Sequence, residues 1–414
     1  MSRPAGHKQE QGLVHKEKGG RREVKNRTVK ERAASQSQWG VHLLGLGILL
    51  AGCSAHAVDY SFPNKLPLGC VKSAANYNCV GLTLLSGDTI ATPPGKPTLI
   101  IVNGPFTAGE FCKLNDGHYA TDLALVVTGV TDIGAGTSMS LNLTGGGIVT
   151  TGSNTQITGS IATIAGVVTL GSNNTMTGNI KTESAAVNVG AHSSITGDIT
   201  TTIAGVVTIG ANSSLIGNIT TTAGAINIGA SNHVVGNIVT IVAGAITIGS
   251  DANIVGQVST TYLGSEVGAG AITVGANGNL SGNVTTNAGA ITTGDKTKVV
   301  GGITTNTGAI TVGNAANVGE SVCTGLAGAV TIGSNSKVGG NIVTSAGAIT
   351  VGDKSTVSGA LLTKGAGAIS TASSSTIGTA LNAFKCASAP PRPTDSADTR
   401  LGIKTRQWRQ IFMR

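Results

Sequence analysis

The phrase G-A-I-T-I-G, followed by x-x-x-x-V-x-G-N-I-T-T, returns through most of this chain at steps of 18 to 20 residues. Its closing glycine stands at Gly134, Gly152, Gly171, Gly190, Gly210, Gly229, Gly249, Gly275, Gly294, Gly313, Gly333 and Gly352, with a degenerate copy at Thr371. Aliphatic residues keep fixed offsets from that glycine. Three before it come Val207, Ile226, Ile246 and Ile272; one before it come Ile209, Ile228, Ile248 and Val274, with Thr293 an exception. Five after it come Leu215, Val234, Ile254 and Leu280; nine after it come Ile219, Ile238, Val258 and Val284.

Alternation of period two inside I-T-I and V-x-G-N-I describes short strands with one buried face. A unit of this length is too short for a helix, a strand and their turns, and its fixed glycines would break a helix. The expectation is all-β: a single-stranded parallel β-helix, right-handed because parallel crossovers are, with about 12–13 rungs of 19–20 residues. At about 4.8 Å per rung the rod would be on the order of 60 Å long. One rung cannot bury its own apolar face, so stacking is obligatory and the ends need covering. Residues 58–130, with their own apolar runs, are expected to form a β-rich N-terminal cap, and residues 131–386 the repeats. Ile377, Leu381 and Phe384 are expected at the other end, and residues 387–414 as a disordered tail.

Composition agrees with many short strands and tight corners: 62 glycines, 3% aromatic and 11% charged residues. The net charge of +8 is a property of the termini. Residues 1–40 hold ten Lys/Arg and four Glu, and residues 387–414 hold six and two Asp; subtracting from 27 and 19 leaves 11 − 13 = −2 for the body. Nucleic-acid binding is therefore not expected, since phosphate contacts need clustered cations on the folded surface.

Residues 1–57 read as a basic leader and signal peptide, with the apolar run Val41–Ala51 too short to span a bilayer permanently. Two processing sites remain open. Leu50-Ala51-Gly52-Cys53 matches a lipobox that would lipidate Cys53, and Ala55-His56-Ala57 is an A-x-A site. Membrane contact is expected only through that signal or lipid, and the chain is expected at the bacterial surface, in the outer membrane or outside the cell. Export makes disulfides feasible, with Cys70 and Cys79 the expected pair. Pairing of Cys112, Cys323 and Cys386 stays open.

Several segments carry a family resemblance: Tyr60-Ser61-Phe62-Pro63, Cys70 with Cys79, Leu82–Ile90 (LTLLSGDTI), Thr98–Gly104 (TLIIVNG) and Asp122–Gly129 (DLALVVTG). Together they resemble the N-terminal region of MshQ-type proteins, which are associated with biogenesis of the mannose-sensitive haemagglutinin type IV pilus and continue into GAITIG-like repeats. The repeats are also similar to those of bactofilins, which polymerise. The resemblance implies an exported surface or adhesion-linked protein, with cell-surface or pilus components or further copies of itself as partners, and no enzymatic residues.

Catalytic solenoids need clustered carboxylates or a basic residue on one face. Here Glu183, Asp198, Asp251, Glu266, Asp295, Glu320 and Asp353 are scattered, and His192 and His233 stand alone. No catalytic residue, metal site or cofactor is assigned. The candidate binding face is the outward file of I-T-I: Thr208, Asn227, Thr247, Thr273, Thr292, Thr311, Thr331 and Thr350, beside Ala225, Ala245, Ala271, Ala290, Ala309, Ala329 and Ala348. These residue types suit any stacked strand. They also suit a flat docking face for lateral assembly, or for ice, whose β-solenoid binders have similar Thr ladders. A second file, Asn179, Asp198, Asn218, Asn237, Asn283 and Asn341, is expected as an amide ladder at a corner. The step from Gly249 to Gly275 is 26 residues, so a candidate loop bulges there with Tyr262, Leu263 and Glu266. Cys323 shares an outward column with Thr220, Thr285 and Thr304 and is expected to be accessible.

Overall fold

The computed structural model describes residues 57–260 and 269–379. Within them the chain is all-β apart from the three-residue 3-10 turn Ala120–Asp122. Three sheets run side by side. The first has 16 strands from Asp59–Ser61 to Thr376–Ile377; the second has 15, from Leu82–Leu84 to Ile369–Thr371; the third has 16, from Cys70–Ser73 to Leu361–Thr363. Each turn of chain visits the second, the first and then the third sheet, and nearly every strand pairs in parallel with its counterpart one turn away. This is a parallel β-solenoid of about 15 turns, about 70 Å long at about 4.8 Å per turn.

The coil built on Gly210 shows how residues make these elements. Val207–Ile209, Ser214–Ile216 and Ile219–Thr221 are its strands. Val207, Ile209, Leu215 and Ile219 point inward and are buried, each contributing about 1.5–3 kcal/mol by leaving water. β-Branching restricts χ1 and suits the pleated backbone, which explains why Val and Ile dominate the columns. The columns are vertical: Val207 pairs with Ile226, Ile226 with Ile246, and Ile246 with Ile272. Ile246 and Ile272 are in register, so the insertion between Thr260 and Ala269 leaves the stack intact. Tyr262, Leu263 and Glu266 lie outside the described residues, as do the leader with Cys53, Leu381, Phe384, Cys386 and the tail. Ile377 is half-buried against the core.

Two corners have a fixed solution. Two residues after the closing glycine the backbone is left-handed, with φ of 54–59° from Asn154 and Asn173 through Asn212 and Asp251 to Lys354. Asn and Asp tolerate that conformation best, yet His192, Lys296 and Ala315 also adopt it, so stacking outweighs local preference. The corner amides keep the ladder going: Asn212 N–H donates to Ala230 O at 3.0 Å and His192 N–H to Ala211 O at 3.0 Å. At the next corner Gly178, Gly197, Gly217, Gly236 and Gly256 stack with φ of 145–158°, and a Cβ on any of them would collide with the carbonyl of the glycine below.

Residues 58–130, expected as a β-rich N-terminal cap, are the first coils of the same solenoid. Tyr60 pairs with Ile90, Leu82 with Phe106, Ile100 with Leu125, and Phe106 with Thr131 at the start of the repeats. Their interior holds larger side chains, Phe106, Leu84, Leu114 and Leu123, which hid the periodicity without changing the alternation. Covering the end falls to the hairpin Cys70–Ser73/Asn76–Cys79, antiparallel and closed by the expected Cys70–Cys79 disulfide at the edge of the third sheet. Phe62 packs edge-on against Tyr77 there, with ring centroids 4.8 Å apart.

The interior also contains polar files. Thr293 replaces an aliphatic in its column, between Val274 and Val312, and among the described residues its buried hydroxyl has no hydrogen-bond partner. Thr293→Val should therefore raise stability by about 1 kcal/mol, read as a higher urea midpoint. Gly217→Val should lower it by more than about 2 kcal/mol, because the side chain meets the Gly197 carbonyl and φ is unfavourable.

Candidate functional site

The second sheet presents one outward side chain per strand. All 15 stack in register: Thr83, Thr107, Asp132, Thr150, Thr169, Asn188, Thr208, Asn227, Thr247, Thr273, Thr292, Thr311, Thr331, Thr350 and Ser370. The expected binding file is thus continuous from Thr208 to Thr350 and extends to both ends of the sheet. Asp132 is its one charged member. Asn227 and the threonines from Thr247 to Thr350 are exposed, whereas Thr169, Asn188 and Thr208 are half-buried.

A neighbouring file runs beside the ladder and changes along the rod. Each occupant precedes its strand by one residue, and its carbonyl accepts from the core residue of the coil below, as Ala245 O accepts from Ile226 N–H at 2.9 Å. From Ala225 to Ala348 the occupants are alanines. Towards the N-terminal end they are Val130, Ile148, Val167, Ala186 and Val206, mostly larger side chains than alanine. The sheet therefore has an Ala/Thr half and an aliphatic half. Within the Ala/Thr half, hydroxyl or amide groups repeat every ~4.8 Å along the axis and lie about 6.6–6.8 Å from the alanines across it. Each exposed hydroxyl can donate one bond and accept two, so the face offers a regular, uncharged hydrogen-bonding grid.

The first sheet is a different surface. Ile216, Val235 and Val255 form an outward aliphatic file, which Ser281 interrupts before Val300, beside Lys298 and Lys337. Among the described residues, the carboxylates and histidines singled out in the sequence are dispersed over corners and outer faces. Asp198 Oδ1 accepts from Asn218 N–H at 2.7 Å, Asp295 Oδ1 from Asn314 N–H at 2.7 Å, and Asp251 Oδ1 from Asn277 Nδ2 at 3.0 Å. His233 Nδ1 lies 3.1 Å from Asn253 Nδ2 on the first sheet, and His192 occupies a left-handed corner. Among the described residues no group of three His, Cys, Asp or Glu could hold a metal ion.

The expected corner ladder is present, and its mechanism is now defined. Each side-chain oxygen accepts from the backbone N–H one coil onward: Asn179 from Asp198 at 2.8 Å, Asn218 from Asn237 at 2.9 Å, Asn237 from Gln257 at 2.9 Å. Farther along, Asn283 accepts from Gly302 and Asn341 from Ala360, both at 2.9 Å. Its role is to satisfy corner amides between coils.

Sequence reasoning missed a fifth interior column. Thr163, Thr182, Thr201, Thr221, Thr240, Thr260, Thr286, Thr305, Thr324 and Thr344 stack inside the third sheet, and all are buried. Their hydroxyls donate to carbonyls of the adjacent corner, Thr182 to Ala185 O and Thr221 to Gly224 O both at 2.7 Å. The available signal was parity: in I-T-T the second Thr has the same inward phase as the Ile. Cys323, expected to be accessible, does lie in the outward column, paired between Thr304 and Val343, yet it is 1% exposed and is disulfide-bonded.

No protein-family model, curated protein or solved structure matches this chain. The class is therefore defined by its own geometry: a β-solenoid repeat protein whose most uniform surface is the hydroxyl and amide ladder of the second sheet. Thr221→Val should cost about 1–3 kcal/mol by leaving the Gly224 carbonyl unpaired. Thr247→Val, on the ladder face, should stay within about 0.5 kcal/mol of the parent, measured by urea unfolding.

Proposed function

We propose that this chain is an exported, surface-displayed solenoid acting without catalysis, as a rigid spacer and docking rod in adhesion or beside pilus components. One observation carries the reading: the second sheet keeps a stacked polar side chain on every strand, uncharged over most of its length, on a scaffold whose coils are locked together by continuous ladders. A repeating face of this kind suits a partner that is itself extended or repeating, because each coil adds an equivalent contact. The leader-like residues 1–57 and the MshQ-like segments between Tyr60 and Gly129 support export and a pilus-associated setting.

A second reading is favoured by the same grid. Regular files of Thr and Ala on a flat, uncharged sheet are suited to an ordered water lattice, so ice binding is the alternative function. A bactofilin-like polymer is the third, built by contacts between solenoids.

The readings separate on a triple variant, Thr247→Lys/Thr292→Lys/Thr331→Lys, which places charge and bulk on the face without touching the core. Adhesion predicts that protease treatment of intact cells removes the parent protein, and that the variant lowers cell attachment at least tenfold while circular dichroism is unchanged. Retention of the parent in the cytoplasmic fraction would reject it. Thermal hysteresis in the parent and its loss in the variant would instead favour ice binding; filaments by electron microscopy that the variant abolishes would favour polymerisation.

A further inference from the structure

The hairpin that covers the N-terminal end of the rod carries a surface unlike the rest. The two most exposed large apolar side chains among the described residues, Leu68 at 98% and Val80 at 80%, stand together there. A turn closed by Cys70 N–H to Pro67 O at 3.1 Å holds Leu68 near its apex, and Val80 N–H donates to Gly69 O at 3.2 Å. Val71, also exposed, follows on Cys70–Ser73, the outermost strand of the third sheet. The Cys70–Cys79 disulfide and the packing of Phe62 on Tyr77 fix this protrusion from beneath.

Charge is distributed just as unevenly. From Tyr60 to Pro105 the chain has three lysines, Lys65, Lys72 and Lys96, all exposed, and one acid, Asp88. Asp88 is buried, and its carboxylate oxygens accept from Val58 N–H at 2.7 Å and Leu85 N–H at 2.8 Å. Asp59 is the exposed acid nearest in sequence; it lies on the first sheet and accepts from the Thr89 hydroxyl at 2.7 Å. Lys65 stands beside the turn with its Nζ 5.7 Å from the centre of the Tyr60 ring. Lys72 pairs across the hairpin with Tyr77, and Lys96 lies in the corresponding corner of the next coil.

These features select among partners. A second copy, tip against tip, would set like charges against each other. Nucleic acid needs more clustered cations and would leave the apolar group unused. A folded protein would have to supply every wall around a side chain that protrudes as Leu68 does. An anionic bilayer meets both demands, with a deformable boundary that accepts protruding apolar side chains and headgroups that attract the lysines around them.

We infer that the N-terminal tip is a docking surface for an anionic lipid bilayer. Leu68, Val71 and Val80 enter the headgroup boundary, and Lys65, Lys72 and Lys96 meet the lipid phosphates. The rod then stands on its tip, with the hydroxyl ladder of the second sheet free along its side. The inference deepens the proposed surface display by adding a contact made by the folded chain, and it rests on that reading for its setting alone.

The test is hydrogen exchange followed by mass spectrometry on the full chain carrying Cys53→Ser, so that no covalent lipid can hold it. With vesicles of equal parts phosphatidylcholine and phosphatidylglycerol, exchange of residues 64–82 should slow about tenfold, and high salt or vesicles of phosphatidylcholine alone should remove the effect. Leu68→Ser/Val80→Ser and Lys65→Glu/Lys72→Glu should each abolish the protection with circular dichroism unchanged. Vesicle binding that leaves residues 64–82 unprotected overturns the inference. So does protection that survives both double variants, or that is equal on neutral vesicles. Failure here leaves export standing, because protease treatment of intact cells decides that separately.

Discussion

The constraint on which this structure depends is that most of each coil's backbone groups find their partners in the coils above and below. In a helix the ladder is internal to the segment; here Ile226 N–H is satisfied by Ala245 O and Gly217 N–H by Val235 O, each from the next turn. A side chain that fits one coil must therefore fit directly over its counterpart. Columns of Val and Ile, glycine over glycine at one corner and amide over amide at the same corner all follow from that requirement. The same coupling makes the rod cooperative between neighbours and gives its exposed faces their periodicity.

That rule made most of the fold legible in the sequence. The offsets of Ile226, Ile246 and Ile272 from their glycines are invariant, and invariance of offset is what vertical stacking demands. It was less informative where one residue type serves two environments. Thr220 faces out and Thr221 faces in, and only the phase of the strand distinguishes them. The left-handed corner was hidden by its variable occupants, Asn212, Lys296 and Ala315, because that position is imposed by the stack rather than chosen for local preference. The first coils were hidden because larger residues such as Phe106 stand in their columns, which blurs the repeat while keeping the alternation.

The candidate face was readable as a file but not as a surface. Counting placed Thr247 beside Thr273, yet the change from an aliphatic half at Val130, Ile148 and Val206 to a smooth half from Ala225 onward emerges only when neighbouring coils are compared in exposure. Cys323 teaches the complementary lesson. Parity correctly placed it outward, but outward is a direction relative to the core, and this outward residue is buried. Function on such a scaffold resides in repetition of a weak contact rather than in a cluster of reactive groups, so it leaves a periodic signature and no motif.

The central claim is the regular rise of one file along the axis, and a distance measures it directly. Spin labels on Thr169→Cys and Thr350→Cys occupy the same outward file nine strand steps apart. Double electron–electron resonance should give a single narrow distribution near 43 Å, nine times the ~4.8 Å step, with Thr247→Cys paired to Thr350→Cys at ~24 Å after five steps. Distances that fail to scale with the number of intervening coils, or a broad distribution for either pair, would contradict the stacked solenoid.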